Sequence, residues 1–478
     1  QTWLCKKSKK YVALKVTPNY QTKQVDFEVV ESTTEKGLGF NPASGSTRGN
    51  SVCRHCETTV DVKYVKREGN VNRINQQLMA IVCTTPGTQG KTYLSGTGYK
   101  KYIPDEVELN NRLEKLCAET GLTTPDEPLP NYGVLGFRVQ PYGLLKWSDL
   151  FTPRQLLSLM TFVKWVRLAH EEIKGSELGV GSWEIGGSEL GVRSWGEEER
   201  EEFAKAVCTY LGLICDRLGD FNSSITHWHT GEQAIMNTFS RQALPMVWDF
   251  AEINPFGNTS GNVYSVMVRF SQFLESQKKS NNLGNLQRSS AMSMSLESES
   301  LDAVITDPPY FDSVPYADLS DFFYVWLKRS IGHLYPEHFS GKLTPKKNEA
   351  IMEPSRHGKD KKKAAQAYQD MMHQAFKEAN RVLKSDGIMV VVYAHKTTAG
   401  WSTLIDSLRR AGFTITEAWP LDTESSGRLR AQNSAALASS IFLIARKRGT
   451  PKTPLTPNSQ HPTPKIGDYA MDVQPQLR

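Results

Sequence analysis

A short polar loop, Asp307-Pro308-Pro309-Tyr310, directly follows an apolar run. The Asp307 carboxylate and the Pro308 carbonyl can each accept one N–H of an exocyclic amine, whose lone pair is otherwise delocalised into its ring. Two such acceptors localise the lone pair and align it with a methyl donor. The prolines stiffen the loop, and Tyr310 with Phe311 offers a ring on which an extruded base can stack. The loop therefore predicts methyl transfer to an amine, although Asp-Pro-Pro also suits an ordinary turn.

The residues around this loop alternate between strand and helix patterns. Apolar runs predict strands at 300–310, 386–395, 414–424 and 439–448, and helical spacing predicts helices at 367–384 and 400–413. This alternation is typical of an α/β fold with a parallel sheet, and the last two strands can form an antiparallel hairpin. Ligands gather at the carboxyl ends of strands in such sheets, which is where the Asp307 loop must lie.

The upstream part of the chain follows different patterns. Short alternating runs within residues 1–105 predict a β-rich region, and helical spacing predicts long helices at Thr152–Ile173 and Glu197–Phe221. Cys53 and Cys56 form a C-x-x-C pair, but a structural zinc site needs four ligands, and no second pair follows. We therefore predict a partial zinc site, with a plain turn carrying two free thiols as the alternative.

Several of these stretches resemble the zinc-ribbon-containing adenine-specific DNA methylases. Residues 302–330, 343–351 and 390–413 carry the resemblance, which extends to 241–262 and, more loosely, to 3–14 and the C-x-x-C region. It implies methylation of the exocyclic N6 amine of adenine in DNA, with S-adenosylmethionine as the donor, zinc as a further cofactor and base flipping as the mechanism. On this match the catalytic loop consists of Asp307, Pro308, Pro309 and Tyr310. The flipped base is bound by Tyr310 and Phe311.

The chain departs from the family at the methyl-donor motif. The family's Phe-x-Gly-x-Gly loop lies upstream of the portion resembled here, and the chain starts at Gln1 rather than Met. We therefore expect a carboxyl-terminal portion, an incomplete Rossmann-like sheet, and an upstream segment or subunit that carries the Gly-rich loop. Within the chain, the candidates for contacts with the cofactor are Asp249, Glu252 and Asn254. Alternatively, the segment that contains them is a plain connection between a strand and a helix, with no role in binding.

The resulting fold class is α/β, a Rossmann-like methyltransferase sheet with an amino-terminal β-rich half zinc ribbon and a helical insertion. The predicted domains are a β-rich region at 1–130, a helical target-recognition segment at 131–240, a catalytic region at 241–448 and a disordered tail at 449–478. Two other functions stay open. The chain could be a non-catalytic nucleic-acid-binding methylase remnant, or the same loop could methylate another base or RNA.

The amino-acid composition limits the classes of protein to which this chain could belong. Apolar residues make up 39% and charged residues 23%, with a net charge of +6, which is ordinary for a globular chain and compatible with nucleic acid. No apolar run approaches the roughly 20 residues that span a bilayer. Seven cysteines without a disulfide-like pattern favour a reducing compartment, so we expect a cytoplasmic protein.

Overall fold

The structure is a computed structural model that describes residues 2–44, 46–47, 50–87, 89–175, 196–259, 261–277, 284–312, 314–395, 397–421 and 440–449. The predicted tail therefore lies, apart from its first residue, outside the described residues. The chain divides into two compact units. Unit 1 comprises Gln1–Leu286 and Asp312–Ala365, and unit 2 comprises Gln287–Phe311 and Gln366–Arg478. This division differs from the four predicted domains, which remain a prediction.

The amino-terminal part of unit 1 is built from short antiparallel strands. Three small sheets have the strand orders β1-β2-β3, β4-β5-β6 and β7-β8, and β9 pairs with β10. The strands are β1 (Trp3–Lys7), β2 (Lys10–Asn19), β3 (Gln24–Ser32), β4 (Ser46–Thr47), β5 (Asn50–Val52), β6 (Thr59–Val60), β7 (Ala80–Cys83), β8 (Thr92–Ser95), β9 (His227–His229) and β10 (Ala234–Met236). The short strands predicted within residues 1–105 are confirmed.

The rest of unit 1 is helical. Its helices are α1 (Val62–Asn70), α2 (Glu106–Thr120), α3 (Pro153–Gly175), α4 (Glu197–Phe221), α5 (Val263–Gln277) and α6 (Tyr316–Ile331). Helix α3 begins at a reciprocal cap, because the Thr152 hydroxyl accepts from the Gln155 amide at 3.2 Å and the Gln155 side chain accepts from the Thr152 amide at 2.8 Å. Both long helices predicted from the sequence are confirmed, and α4 has the predicted bounds.

Helix α6 packs into the core of unit 1. Its Phe322, Val325 and Trp326 side chains are buried together with Trp147 and Leu159 from the segments before it. The aromatic run that contains Phe322 and Trp326 therefore serves packing. None of the helices in the described part of the chain is long and apolar enough to cross a membrane.

Unit 2 contains a four-stranded mixed sheet with the order β11-β12-β14-β13. Its elements are β11 (Leu301–Thr306), α7 (Lys361–Val382), whose first turn belongs to unit 1, β12 (Leu383–Tyr393), α8 (Thr398–Arg410), β13 (Phe413–Leu421) and β14 (Ser440–Lys447). Strands β11 and β12 are parallel, whereas β14 runs antiparallel to both of its neighbours. The predicted strand–helix alternation and the antiparallel pairing of the last two strands are confirmed, but the sheet is mixed rather than parallel, because β14 lies between β12 and β13 and runs antiparallel to both.

One face of this sheet supplies the core of unit 2. Alternate residues of β12, namely Met389, Val391 and Tyr393, are buried, and Val391 pairs with the buried Leu443 of β14. Helix α7 buries Tyr368, Met372, Phe376 and Ala379, and helix α8 buries Leu404 and Leu408. This spacing of three or four residues gives each helix one apolar face.

Candidate active site

The Asp307 loop lies at the carboxyl edge of the unit 2 sheet. Strands β11 and β12 are parallel, with Thr306 opposite Val391, so their carboxyl ends lie at the same edge. The loop follows Thr306 directly, and His395 comes two residues after the end of β12. Side chains from both strand ends therefore meet where ligands bind in open α/β sheets.

The Asp307 carboxylate is exposed, whereas the next residue, Pro308, is buried. Among the residues that the structure describes, none donates a hydrogen bond to this carboxylate. A buried proline thus holds the backbone of the loop while the preceding carboxylate faces solvent. The arrangement leaves Asp307 able to accept a hydrogen bond from an incoming N–H group.

A tyrosine on helix α7 anchors the loop. The hydroxyl of Tyr368 donates a hydrogen bond to the carbonyl oxygen of Pro309 at 2.8 Å. The Tyr368 side chain is fully buried, and this burial raises its pKa well above the usual range of a phenol. The hydroxyl therefore stays protonated and remains a donor.

Aromatic rings surround the rest of the loop. Tyr310 is half-buried, and its ring lies edge-on to that of Tyr393 with centroids 5.1 Å apart. Phe311 is 9% exposed, and its ring contacts those of Tyr368 at 5.2 Å and His395 at 6.1 Å. Phe311 would have to leave this packing to stack on a base, so we restrict the base-stacking proposal to Tyr310.

His395 is held in one orientation beyond the end of β12. Its Nδ1 accepts a hydrogen bond from the Thr397 amide at 3.1 Å, and its carbonyl oxygen accepts one from the Trp401 indole at 3.0 Å. The ring also lies close to Gly400, where an added Cβ would stand 2.2 Å from His395 Nδ1.

The three residues predicted to contact the cofactor lie in unit 1, whereas the catalytic loop lies in unit 2. Among the described residues no strand directly precedes them, since residues 247–259 form an irregular segment. The Glu252 carboxylate receives two hydrogen bonds from Arg154, at 3.1 and 2.9 Å, and the Asn254 side chain accepts from the Phe256 amide at 3.0 Å. Asp249 has contacts of its own as well. Glu252 and Asn254 thus already have partners within unit 1, and the role of the three residues in cofactor binding stays a prediction.

Cys53 and Cys56 lie in the tight connection between β5 and β6. The Cys53 amide donates to the Thr58 carbonyl at 2.9 Å, and hydrogen bonds to Thr58 lower the pKa of the Cys56 thiol. Within the described ranges no group of three or more His, Cys, Asp or Glu residues could hold a metal ion. The zinc proposal thus stands on two ligands only.

Sequence patterns do not predict three residues of the site, namely Tyr368, Tyr393 and His395. Tyr368 has the spacing of a core residue, four positions before Met372, and Tyr393 alternates with buried strand residues. Nothing in these patterns distinguishes a packed ring from one whose hydroxyl contacts a loop 59 positions away in sequence. The signal available was the position of His395 after a strand predicted to end beside the Asp307 loop.

Unit 2 thus contains an α/β sheet with an exposed carboxylate in an anchored loop at its carboxyl edge. Residues 301–471 match a family model described as DNA methylase. The carboxyl-terminal portion of the chain is therefore similar to DNA methylases, which confirms the predicted resemblance for this portion. No curated protein matches the chain.

A solved structure titled "Crystal Structure of the [4+2]-Cyclase SpnF" is similar to this chain at 16% identity and a TM-score of 0.19. The match covers 38% of this chain and 63% of that one. The chain therefore spans less than two thirds of that protein, and with so low a TM-score the likeness does not bear on fold or function.

Proposed function

We propose that this chain is the catalytic-loop portion of a DNA methyltransferase that acts on the N6 amine of adenine and uses S-adenosylmethionine. The observation that carries the proposal is the exposed Asp307 carboxylate, held at the carboxyl edge of the β11–β12 pair within the region that matches DNA methylases. We propose adenine rather than cytosine as the target because the sequence resembles adenine-specific DNA methylases at residues 302–330, 343–351 and 390–413.

The residues of this chain would act on the amine. Asp307 accepts one N–H of the flipped base, and the Pro308 carbonyl accepts the other. These two contacts orient the nitrogen lone pair away from the ring. The Tyr310 ring, steadied by Tyr393, stacks on the base. Bound S-adenosylmethionine would supply an electrophilic methyl group. The amine nitrogen would gain the methyl carbon as the methyl–sulfur bond breaks, S-adenosylhomocysteine would leave, and the nitrogen would release one proton to water.

We further propose that the methyl donor is held mainly by an upstream segment or subunit. Two observations support this. The candidate cofactor contacts Glu252 and Asn254 are already engaged within unit 1. In addition, β11 is the terminal strand of its sheet in the described part of the chain, and its Ile305 side chain is 72% exposed. An edge strand with an exposed apolar side chain can accept a further strand.

A methyl-transfer assay tests the proposal. The purified chain, alone and with the segment encoded upstream, is incubated with adenine-containing duplex DNA and S-adenosylmethionine, and digested nucleosides are analysed by mass spectrometry. We expect N6-methyladenine only when the upstream segment is present. N4-methylcytosine would replace the adenine assignment, and absence of both products under both conditions would contradict the enzyme proposal.

A second candidate function is a non-catalytic DNA-binding remnant. The engagement of Glu252 by Arg154 favours it, because it leaves no ready cofactor contact at that carboxylate. Calorimetry separates the two candidates. A remnant binds DNA but not S-adenosylmethionine, even with the upstream segment, whereas the enzyme binds both. Micromolar cofactor binding by the chain alone would show that it completes the pocket without a partner.

A further inference from the structure

We propose that Tyr368 is a positioning residue for methyl transfer, whose hydroxyl sets the direction of the Pro308 carbonyl by holding the neighbouring Pro309 carbonyl. This inference rests on the proposed function and deepens it. No motif of the sequence points to Tyr368. Its assignment comes from the contact between the middle of helix α7 and the loop after β11, both within unit 2.

The Tyr368 side chain has little freedom. It is fully buried on the apolar face of α7. The ring of Phe311, the residue directly after the loop, lies edge-on against it with centroids 5.2 Å apart and an interplanar angle of 85°. A ring fixed on its helix and against Phe311 directs its hydroxyl at the Pro309 carbonyl, at 2.8 Å, and the same hydroxyl also interacts with the Tyr393 side chain.

The backbone transmits this constraint to the neighbouring carbonyl. The Pro308 and Pro309 carbonyls belong to successive peptide planes, which are related by the φ and ψ angles of Pro309. The pyrrolidine ring locks φ near about −65°. Once Tyr368 fixes the second plane, only ψ of Pro309 remains to orient the first. The hydrogen bond from Tyr368 thereby limits the directions of the Pro308 carbonyl to those that this one torsion allows.

The same hydrogen bond could instead serve stability alone, and the two roles predict different measurements. A positioning role affects the rate of the chemical step in folded, DNA-bound protein. A purely structural role lowers the folded fraction and leaves the rate per folded molecule unchanged. Tyr368→Phe separates them, because it keeps the ring against Phe311 and removes only the hydroxyl.

The experiment compares wild type, Tyr368→Phe and the control Tyr324→Phe, each with the upstream segment. Tyr324, on α6 in unit 1, likewise donates its hydroxyl to a backbone carbonyl, that of Gly341, at 2.7 Å. Single-turnover methyl transfer is measured at saturating DNA and S-adenosylmethionine, normalised to the folded fraction from circular dichroism. DNA affinity is measured by fluorescence anisotropy.

We expect the Tyr368→Phe rate to fall by about 10- to 100-fold, since displacement of a reacting contact by about 1 Å can cost roughly 10²-fold. DNA affinity should stay within about twofold, and Tyr324→Phe should retain the wild-type rate. A wild-type rate per folded molecule in Tyr368→Phe, or failure of that variant to fold, overturns the positioning role. A wild type that does not methylate overturns the proposed function, and the inference falls with it.

Discussion

Arg329 and Glu127 form a buried ion pair between α6 and a segment 202 positions earlier in the chain. The guanidinium donates to both carboxylate oxygens, each at 3.0 Å, and both side chains are 7% exposed. Arg329 also donates to the carbonyls of Thr123, Thr124 and Val325. Because its donors are so well satisfied, this arginine ties the residues before α3 to the end of α6 within unit 1.

Removal of one partner of this pair should strongly destabilise unit 1. We expect Glu127→Ala to lower the free energy of unfolding by about 3–5 kcal/mol, because it leaves a buried guanidinium without its counter-charge. Urea denaturation followed by tryptophan fluorescence measures the change. Glu108→Ala, which breaks the exposed pair with Arg112, is the control and should have almost no effect. Equal losses in both variants would contradict the assignment.

Asp216 on α4 should make stability depend on pH. Burial raises its pKa well above the usual range, and among the described residues its Oδ1 has no hydrogen-bond partner. The folded state therefore keeps a proton that the unfolded chain loses above about pH 3.9. Stability contributed by the protonated form is present below that pH and falls as pH rises toward the folded pKa.

Asp216→Asn removes this pH dependence. We expect its melting temperature to exceed that of wild type at pH 8, with a smaller difference at pH 4.5. Asp220→Asn on the same helix is the comparison. Burial raises the pKa of Asp220 too, but its carboxylate accepts from Arg217 at 2.6 Å, Asn237 at 2.9 Å and the Phe239 amide at 3.2 Å, and an amide cannot accept at both oxygen positions. That substitution should destabilise at pH 8. A pH-independent difference for Asp216→Asn would refute the prediction.

Asp307→Ala should abolish methyl transfer while DNA affinity stays nearly unchanged. The carboxylate contacts one amine in the proposed mechanism, and loss of such a contact typically costs about 10²–10³-fold in rate. Asp302→Ala is the control, because Asp302 lies on β11, the strand that leads into the loop, but pairs with Lys384 on the surface. Turnover above about a tenth of wild type in Asp307→Ala would rule out the catalytic role.

Tyr310 should contribute its ring rather than its hydroxyl. Tyr310→Ala is expected to weaken binding of the flipped base by roughly 1–3 kcal/mol, the usual value for stacking. Tyr310→Phe keeps the ring and its edge contact with Tyr393, so its effect should be small. Fluorescence of 2-aminopurine placed at the target position follows the flipped base. If Phe proves as damaging as Ala, the stacking role is wrong.

The cysteines should differ widely in reactivity. Hydrogen bonds to Thr58 lower the pKa of the exposed Cys56 thiol, whereas burial raises the pKa of Cys208 to about 11. Since the thiolate is the nucleophile, Cys56 should be alkylated first by iodoacetamide at pH 7.5, and Cys208 should stay unmodified in the folded protein. Peptide mass spectrometry of time points gives both rates. Early modification of Cys208 would contradict its burial.

Much of the architecture follows from local pattern. Alternation and apolar runs located β11, β12, β13 and β14, and helical spacing located α3 and α4, because burial of one face leaves a period of two or about 3.6 in the residues themselves. The start of α7 was misplaced, since the helix begins at Lys361, within a lysine run that has no apolar period. Its cap is the Asp360 side chain, which accepts from the Lys362 and Lys363 amides.

The candidate site, like the architecture, could be predicted from the sequence only in part. The residue order alone placed Asp307 after a strand and so at a sheet edge, because a parallel α/β sheet puts its loops there. The residue order could not reveal three contacts. Tyr368 donates a hydrogen bond to the Pro309 carbonyl, Phe311 is buried against His395, and Arg154 forms an ion pair with Glu252. Each of these contacts joins residues that are distant in the chain. Their side chains meet only because tertiary packing brings separate elements together, and the local pattern of apolar residues in the sequence does not predict such contacts.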